Sequence, residues 1–507
     1  MKLSRSSGLL LHCTSLPSPF GVGDLGPSAR EFADFLHAAG QKLWQVLPLH
    51  PTGYGESPYQ CFSAFAGSPL LLSLEVLRNR GLLSSADLAN PPEFPLDTIE
   101  FAAAERFKMP LLARAAERFF AESSGGDRAE FENFCAQTPW LEDFALFMAL
   151  KQAHQGFAWT RWEPALRDRD PHALEEFART RQAQLQTIRF WQFEFFRQWS
   201  ELRNWCEARS IRIMGDIPIY VAHDSADVWA RPDLFHLDSL GQPSVVSGVP
   251  PDYFSVTGQL WGNPIYRWKR MQEDGFAWWI ARFRSALALF DCVRLDHFRG
   301  FESYWEVPAN ETTAINGRWV QAPGEALLSA LEKEFGELPI VAENLGVITP
   351  PVERLRHRFN LPGMSILQFA FGTDPQGPSF RPHNYTRDLV AYTGSHDNDT
   401  AQGWWTSSSG ADSTRTPEDV RQEHDFARAY LNLADEAEIH WALIRGVFSS
   451  VADTVVVPVQ DILGLGSSAR MNLPGTVSGN WKWRCRPNVL DAALAVRLRE
   501  LATLYER

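Results

Sequence analysis

Residues 276–296, FAWWIARFRSALALFDCVRLD, combine the apolar pattern of a helix with that of a strand. The apolar residues first recur every three or four positions, the spacing of a helix with one buried face. They then run together in residues 292–295, just before Asp296. The pattern predicts an amphipathic helix that leads into a buried β-strand with a carboxylate at its carboxyl end.

The same unit recurs along the chain. There are eight strand candidates, each a short apolar run: residues 8–12, 43–49, 211–216, 292–296, 339–343, 364–368, 389–397 and 455–461. The first lies near the start of the sequence, and most of the others follow a helical pattern. Eight strands alternating with helices predict an α/β fold, a closed parallel (β/α)8 or TIM barrel. In such a barrel the active site lies at the carboxyl ends of the strands.

The spacing of the units predicts one catalytic barrel over residues 1–507 with insertions on its carboxyl-terminal rim. The second and third strands are far apart, so an insertion subdomain of largely helical pattern is expected at about 62–185. Smaller rim insertions are expected at about 222–270 and 305–325. The last residues, 490–505, have a helical pattern, so no carboxyl-terminal β-domain is expected.

Composition and charge argue against several classes of protein. The formal net charge of −13 repels polyanions and argues against a nucleic-acid or acidic-membrane partner. Six dispersed cysteines without a CxxC motif indicate buried free thiols in a reducing compartment. The apolar run near the start is too short for a signal peptide, and no apolar run is long enough to span a bilayer. We therefore expect a cytoplasmic protein that is not bound to a membrane.

Polar side chains follow six of the predicted strands: Asp216, Asp296, Glu343, Gln368, Asp397 and Asp461. Each alone could simply cap a helix or end a strand in a solvated turn. In a barrel, however, these ends converge on one mouth, where they would line a cleft.

Two of these strand ends indicate acid–base and nucleophilic chemistry. Arg294 and Asp296 share a face because side chains alternate along a strand, so the arginine would keep the aspartate ionised and oriented. A purely structural ion pair is the alternative. Glu343 ends an apolar strand, where burial could raise its pKa and keep it protonated as a general acid. The SHDND segment at 395–399 suggests metal ligands, but no second His-rich segment supports them, and neither metal nor cofactor is expected.

The three carboxylates and the strings around them resemble those of a known family. Asp296, Glu343 and Asp397 match the order and strand positions of the three catalytic carboxylates of the α-amylase clan. Eight strings resemble those of amylomaltases, the 4-α-glucanotransferases of glycoside hydrolase family 77: GESPYQ (55–60), GDIPIY (215–220), GVPPDYF (248–254), LWGNP (260–264), DHFRG (296–300), AENLG (342–346), SHDND (395–399) and RMNLPG (470–475).

The resemblance implies a retaining double displacement that transfers a segment of an α-1,4-glucan or maltooligosaccharide donor to the 4-hydroxyl of glucose or another glucan. It assigns Asp296 as nucleophile, Glu343 as acid and base, and Asp397 as transition-state stabiliser, with the first two carboxyl groups about 5 to 5.5 Å apart. The substrate-binding residues that it implies are Ser57, Tyr59, Asp216, Phe254, Trp261, Asn263, Arg294, His297, His396 and Asn472.

Two alternatives stay open from the sequence. A retaining α-glucan hydrolase of the amylase or α-glucosidase type would share all three carboxylates and differ in accepting water. A glucan-binding or scaffold protein that has lost catalysis is a second alternative, against which the intact Asp296, Glu343 and Asp397 argue. Donor and acceptor length preference, cyclisation and oligomeric state are not encoded in any of these motifs.

Overall fold

The computed structural model describes residues 4–251, 255–407, 416–433 and 435–507. These residues form twelve named strands in chain order. They are β1 (Ser6–Leu10), β2 (Leu43–Gln45), β3 (Arg212–Ile217), β4 (Val245–Val249), β5 (Gln259–Pro264), β6 (Cys292–Leu295), β7 (Ser303–Pro308), β8 (Arg318–Gln321), β9 (Ile340–Ala342), β10 (Gly363–Ile366), β11 (Leu389–Tyr392) and β12 (Thr454–Pro458).

Eight of the strands form one parallel sheet in the order β10-β11-β12-β1-β2-β3-β6-β9. Between the two end strands, the Ala342 backbone N–H donates to the Pro362 carbonyl at 2.8 Å. The Asn344 side chain accepts from the Met364 N–H, also at 2.8 Å. The sheet therefore curves into a nearly closed barrel, and the predicted (β/α)8 fold is confirmed.

All eight predicted barrel strands are present, but several are shorter than expected. β11 ends at Tyr392, so the rest of the predicted segment 389–397 is a loop. β12 ends at Pro458, and Asp461 lies in a short helix beyond it. Gln368 lies in a 3₁₀ turn, Leu367–Ala370, after β10. Of the six predicted strand-end residues, only Asp216 lies within a strand; Asp296 and Glu343 directly follow theirs, and the other three stand further out on the carboxyl-terminal rim.

Helices alternate with the strands and cover the outside of the barrel. They are α1 (Pro27–Ala38), α2 (Leu74–Asn79), α3 (Phe101–Glu122), α4 (Gly125–Gln137), α5 (Leu141–Ala153), α6 (Pro164–Arg167), α7 (Pro171–Thr180), α8 (Gln182–Glu207), α9 (Ala226–Ala230), α10 (Trp268–Glu273), α11 (Ala277–Leu289), α12 (Gly324–Phe335), α13 (Pro350–Arg358), α14 (Ala401–Thr406), α15 (Pro417–Leu431), α16 (Ile439–Phe448), α17 (Val459–Ile462) and α18 (Ala492–Leu504).

The helix of the opening stretch, α11, packs on the barrel through aromatic side chains. Phe290 follows it and lies against Gly215 of β3, where any Cβ would come within 2.1 Å of the ring. Trp199 of α8 packs edge-on against Phe290 at 5.7 Å and donates its indole N–H to the Leu289 carbonyl at 2.9 Å. Glycine at 215 thus permits the close helix-to-strand contact directly beside Asp216.

The long connection between β2 and β3 contains helices α2 to α7, of which α3, α4, α5 and α7 pack on α8. One example is the Trp191 indole N–H, which donates to the Leu112 carbonyl in α3 at 3.1 Å. We propose that residues of about 62–185 form the insertion subdomain of the single barrel.

A second sheet, which the sequence did not predict, stands on the rim. It is antiparallel with the order β5-β4-β7-β8, and it spans the two segments that we expected to be smaller insertions. Its strands contain Gly248, Gly262 and Pro264, residues that are typical of loops, and this hid the strand pattern.

After β12 the chain forms α17, a 3₁₀ turn at Ser467–Ala469, a long irregular segment and α18, without another named strand. All six cysteines are free, as predicted. Among the residues that the structure describes, none of the helices combines the length and the apolar character needed to cross a bilayer.

Candidate active site

The centre of the candidate site is a charged cluster on the adjacent strands β3 and β6. Asp216 and Arg294 are register partners across these strands. The buried Arg294 guanidinium donates to Asp216 Oδ2 at 2.6 Å and to Asp296 Oδ1 at 2.7 Å. Burial lowers the pKa of Arg294, but the two flanking aspartates more than offset it, so the arginine stays charged. The predicted Arg294–Asp296 pairing is confirmed, and the arginine fixes the orientation of the Asp296 carboxylate.

Glu343 lies beside this cluster at the end of the neighbouring strand β9. Its Oε2 accepts from the His297 backbone N–H at 2.7 Å, and its Oε1 accepts from the Leu345 backbone N–H at 3.2 Å. Burial raises the pKa of Glu343 to about 8, Arg294 lowers it, and Asp296 raises it further. The direction agrees with the expected rise, so the carboxyl group keeps its proton to a higher pH than an ordinary glutamic acid.

His297 turns the chain so that its own N–H points at Glu343. It has a φ of 49°, in the left-handed region that non-glycine residues rarely adopt. Burial lowers the pKa of its ring to about 4, so the imidazole is neutral. Its ring meets Trp261 edge-on at 4.8 Å, and its Nε2 is buried without a hydrogen-bond partner. Backbone strain is common where residues must be positioned for function. Here the left-handed turn at His297, directly after Asp296, aims its N–H at Glu343 and so ties the two carboxyl groups together.

Asp397 approaches from the loop after β11. The Asn472 side-chain amide donates to its Oδ1 at 2.6 Å, and His396 Nε2 lies 3.4 Å from the same oxygen. Arg470 donates to the Asp397 backbone carbonyl at 2.6 Å. The Asp397 side chain retains 42% exposure. This carboxylate is therefore oriented by the protein and still accessible from the cleft.

Tyr59 links the two halves of the site. Its hydroxyl donates to Asp216 Oδ2 at 2.8 Å, while its ring stacks on the His396 imidazole at 5.2 Å and 15°. Burial, followed by Asp216, raises the pKa of Tyr59, so the hydroxyl stays protonated and can donate. The strands of Asp216 and Asp296 are thereby connected to the loop of His396 and Asp397.

The remaining predicted binding residues lie around this centre. Ser57 precedes Tyr59, and its hydroxyl accepts from the Tyr59 backbone N–H at 3.2 Å. Asn263 is buried, and its side chain donates to the Val221 carbonyl at 3.0 Å. Asn263 therefore holds the rim sheet in place. Phe254 lies outside the described residues.

Two further residues of the cleft were not predicted as site residues. One is Arg470, although the motif that contains it was recognised. The other is Trp481, whose ring lies 5.8 Å from Tyr59 and 5.9 Å from His396, with a φ of 64°. A tryptophan in an irregular loop gives no periodic signal, so only the fold could place it.

Arg294→Lys is expected to lower kcat for glucan transfer by about 10²-fold or more. A lysine has one ammonium group and cannot bridge Asp216 and Asp296 with a planar fork. Steady-state kinetics with maltotriose would measure the loss, with thermal unfolding as a check on folding. Wild-type kcat in a folded Arg294→Lys variant would contradict this role.

Within the described ranges, no group of three or more His, Cys, Asp and Glu side chains is arranged to hold a metal ion. The site consists of buried carboxylates, one fixed guanidinium and stacked aromatic rings, which is a chemistry suited to neutral polyhydroxyl ligands.

Comparison with known proteins agrees with this arrangement. A family profile for 4-alpha-glucanotransferase matches residues 11–490. A 4-alpha-glucanotransferase of Thermus thermophilus is 51% identical over all of both chains. The chain belongs to the 4-α-glucanotransferase family.

Other members of this family are also similar. The 4-alpha-glucanotransferase of a Synechocystis strain is 49% identical over 99% of this chain and 98% of its own. The solved amylomaltase of Streptococcus agalactiae, in complex with acarbose, superposes with a TM-score of 0.94 at 37% identity, covering 99% of each chain. The chain is thus an enzyme with 4-α-glucanotransferase activity, and the hydrolase alternative is not favoured.

Proposed function

We propose that this enzyme transfers α-1,4-glucan segments by a retaining double displacement centred on Asp296. The observation that carries the proposal is the environment of the paired carboxyl groups. Asp296 is bonded to a buried guanidinium, whereas the neighbouring Glu343 has a pKa raised to about 8. A carboxylate side chain bonded to a guanidinium, beside a second carboxyl group whose pKa is raised, is the arrangement that a nucleophile and a general acid require.

In the first half of the reaction, Asp296 attacks the anomeric carbon of the donor. Glu343 gives its proton to the departing glycosidic oxygen, so that a covalent glycosyl-enzyme forms and the shortened glucan leaves. In the second half, Glu343 removes the proton from the 4-hydroxyl of an acceptor, which displaces Asp296. Two inversions give net retention of configuration.

The other side chains of the cleft would bind the sugar. Asp397 would accept hydrogen bonds from sugar hydroxyls, because it is exposed to the cleft and oriented by Asn472. Trp261 and Tyr59 offer aromatic faces or edges to the apolar faces of glucose rings. His297 and His396 are buried at the centre, and burial lowers the pKa of both, so they would contact sugar hydroxyls as neutral imidazoles.

The substrates that fit are an α-1,4-glucan or maltooligosaccharide donor and a glucose or glucan acceptor. The Streptococcus agalactiae amylomaltase was solved in complex with acarbose, which supports a saccharide ligand for this enzyme too. We infer that the enzyme needs no cofactor, because no step requires one, and the charge of −13 suits a neutral substrate. We also infer that it acts in the cytoplasm, where its six free cysteines would stay reduced.

The direct test is incubation of the purified enzyme with maltotriose alone, followed by separation of products by chain length. Glucose together with a ladder of longer maltooligosaccharides, at a nearly constant number of reducing ends, would support transfer. Glucose and maltose without longer products would indicate hydrolysis instead. An unchanged substrate would contradict catalysis altogether.

The pH profile gives a second test. A carboxyl group of ordinary pKa, 4.5, would lose its proton far below neutrality, whereas Glu343 keeps it up to about pH 8. We therefore expect kcat/KM for maltotriose to fall about tenfold per pH unit above that value. A fall in kcat/KM that begins several pH units below 8 would contradict the role of Glu343 as the general acid.

A further inference from the structure

We propose that Gln368 and Asp461 are positioning residues that hold the loop 393–401, and with it His396 and Asp397, in the catalytic geometry. The inference deepens the proposed function and rests on it. Both residues stand just beyond the strands that flank β11, Gln368 after β10 and Asp461 after β12. The loop that begins after β11 is therefore held from both sides.

Asp461 binds the loop at its two ends. Its Oδ2 accepts from the Thr393 hydroxyl at 2.5 Å, and its Oδ1 accepts from the Ala401 backbone N–H at 2.7 Å. The residue is only 1% exposed. One carboxylate thus fixes the separation between the beginning and the end of the loop.

Gln368 binds the loop at its start and near its end. Its backbone N–H donates to the Thr393 carbonyl at 3.2 Å, and its side-chain amide donates to the Asp399 carbonyl at 2.9 Å. Gly394 permits this approach, since a Cβ there would lie 2.9 Å from the Gln368 amide nitrogen.

These hydrogen bonds matter because packing supports the loop on only part of its surface. A cavity of about 20 Å³ lies against it, and residues 395 and 397–399 of the loop are only half-buried. The lining includes loop residues, among them His396 and Asp399, together with Asp461, His12 and Arg470. Close packing normally immobilises a buried segment, and where the loop is half-buried that contribution is smaller. The hydrogen bonds to Asp461 and Gln368 add the constraint that packing does not supply there.

The consequence is catalytic, because the loop carries two residues of the cleft. Asp397 must meet sugar hydroxyls in the transition state, and a displacement of about 1 Å can cost roughly 10² in rate. Removing either support is expected to lower kcat more than it raises KM.

The test compares Asp461→Ala, Asp461→Asn and Gln368→Ala, with maltotriose as substrate. The alanine variants should lose about 10- to 100-fold in kcat with less than a threefold change in KM. Asp461→Asn should recover to within about threefold of the wild type. Its carbonyl can accept from Ala401, and the Thr393 hydroxyl can turn to accept from its amide.

The matched control is Asp291→Ala. Asp291 also accepts a backbone N–H, from Ile213 at 2.7 Å, and a side-chain donor, Arg203 at 2.8 Å, but it precedes β6 at the opposite end of the barrel. We expect this variant to lower the melting temperature while kcat stays within about twofold of the wild type.

A second donor separates positioning of Asp397 from effects on acid catalysis. α-Maltotriosyl fluoride has a leaving group that needs no proton, so it should not restore Asp461→Ala, whose defect concerns the sugar hydroxyls.

Wild-type kcat in either alanine variant, or an asparagine variant as impaired as the alanine one, would overturn the inference. Should Asp461→Ala fail to fold, Gln368→Ala and Thr393→Val decide the question, and normal kcat in both would overturn it. Failure of the proposed function is a different result, since the wild type itself would then form no ladder from maltotriose.

Discussion

Asp296→Asn is expected to lower kcat for maltotriose disproportionation by at least about 10⁴-fold, or about 5.5 kcal/mol of transition-state stabilisation. An amide cannot form the glycosyl ester, while its carbonyl can still accept the hydrogen bond that Arg294 donates to Oδ1. The variant should therefore fold normally and bind substrate. Initial rates of glucose release, together with the binding affinity for maltotriose, measure both effects.

Asp291→Asn provides a control for the same chemical change at the other end of the barrel, and it should remain active. An Asp296→Asn variant with more than a tenth of wild-type kcat would remove Asp296 from the role of nucleophile.

Glu343→Gln is expected to lower kcat for maltotriose by about 10³- to 10⁴-fold, because glutamine cannot protonate the departing glycosidic oxygen. The glutamine carbonyl can retain one of the two backbone hydrogen bonds, from His297 or Leu345, so the local structure should persist. With α-maltotriosyl fluoride, fluoride release in the first step should return to within about tenfold of the wild type, since fluoride leaves without a proton.

The fluoride donor also tests the pH argument. The alkaline fall in activity should disappear from the first step of Glu343→Gln, because the titrating group is gone. Glu332→Gln, an exposed change on α12, should behave as the wild type with both donors. An equal defect of Glu343→Gln with both donors would mean that the residue does not act as the acid.

The barrel could be predicted from the sequence because each of its units shows two clear patterns of apolar residues, one typical of a helix and one typical of a buried strand. In residues 276–296 the helical spacing gives way to a continuous apolar run, and strands buried on both faces have such runs. The ends of the strands were less predictable. Residues 393–397 continue the apparent pattern of β11, but they leave the sheet because Gln368 and Asp461 bind that segment as a loop.

The rim sheet could not be predicted, because its strands are stabilised by pairing with each other rather than by a regular apolar pattern. In β4 and β5, Gly248 pairs with Leu260, and a register shift separates this pair from Val246 and Pro264. Glycine, proline and a β-bulge together conceal strands from a pattern-based analysis.

The centre of the site could be predicted for a physical reason. Two charges on one face of a buried strand, Arg294 and Asp296, need a partner or a function. The sequence could not show which residues from distant segments meet in the cleft. Trp481 is brought to Tyr59 and His396 by a loop more than 80 residues beyond the SHDND motif. The pairing of Asp461 with Thr393 depends on the order of strands in the sheet.

Trapping the covalent intermediate tests double displacement through Asp296 directly. Glu343→Gln incubated with α-maltotriosyl fluoride can form the glycosyl ester, but it lacks the base that activates an acceptor. We expect intact-protein mass spectrometry to show the addition of one maltotriosyl unit, and peptide mapping to place it on Asp296. The double variant with Asp296→Asn should remain unmodified. A label on another residue, or steady fluoride release with the protein unmodified at every time, would contradict a double displacement through Asp296.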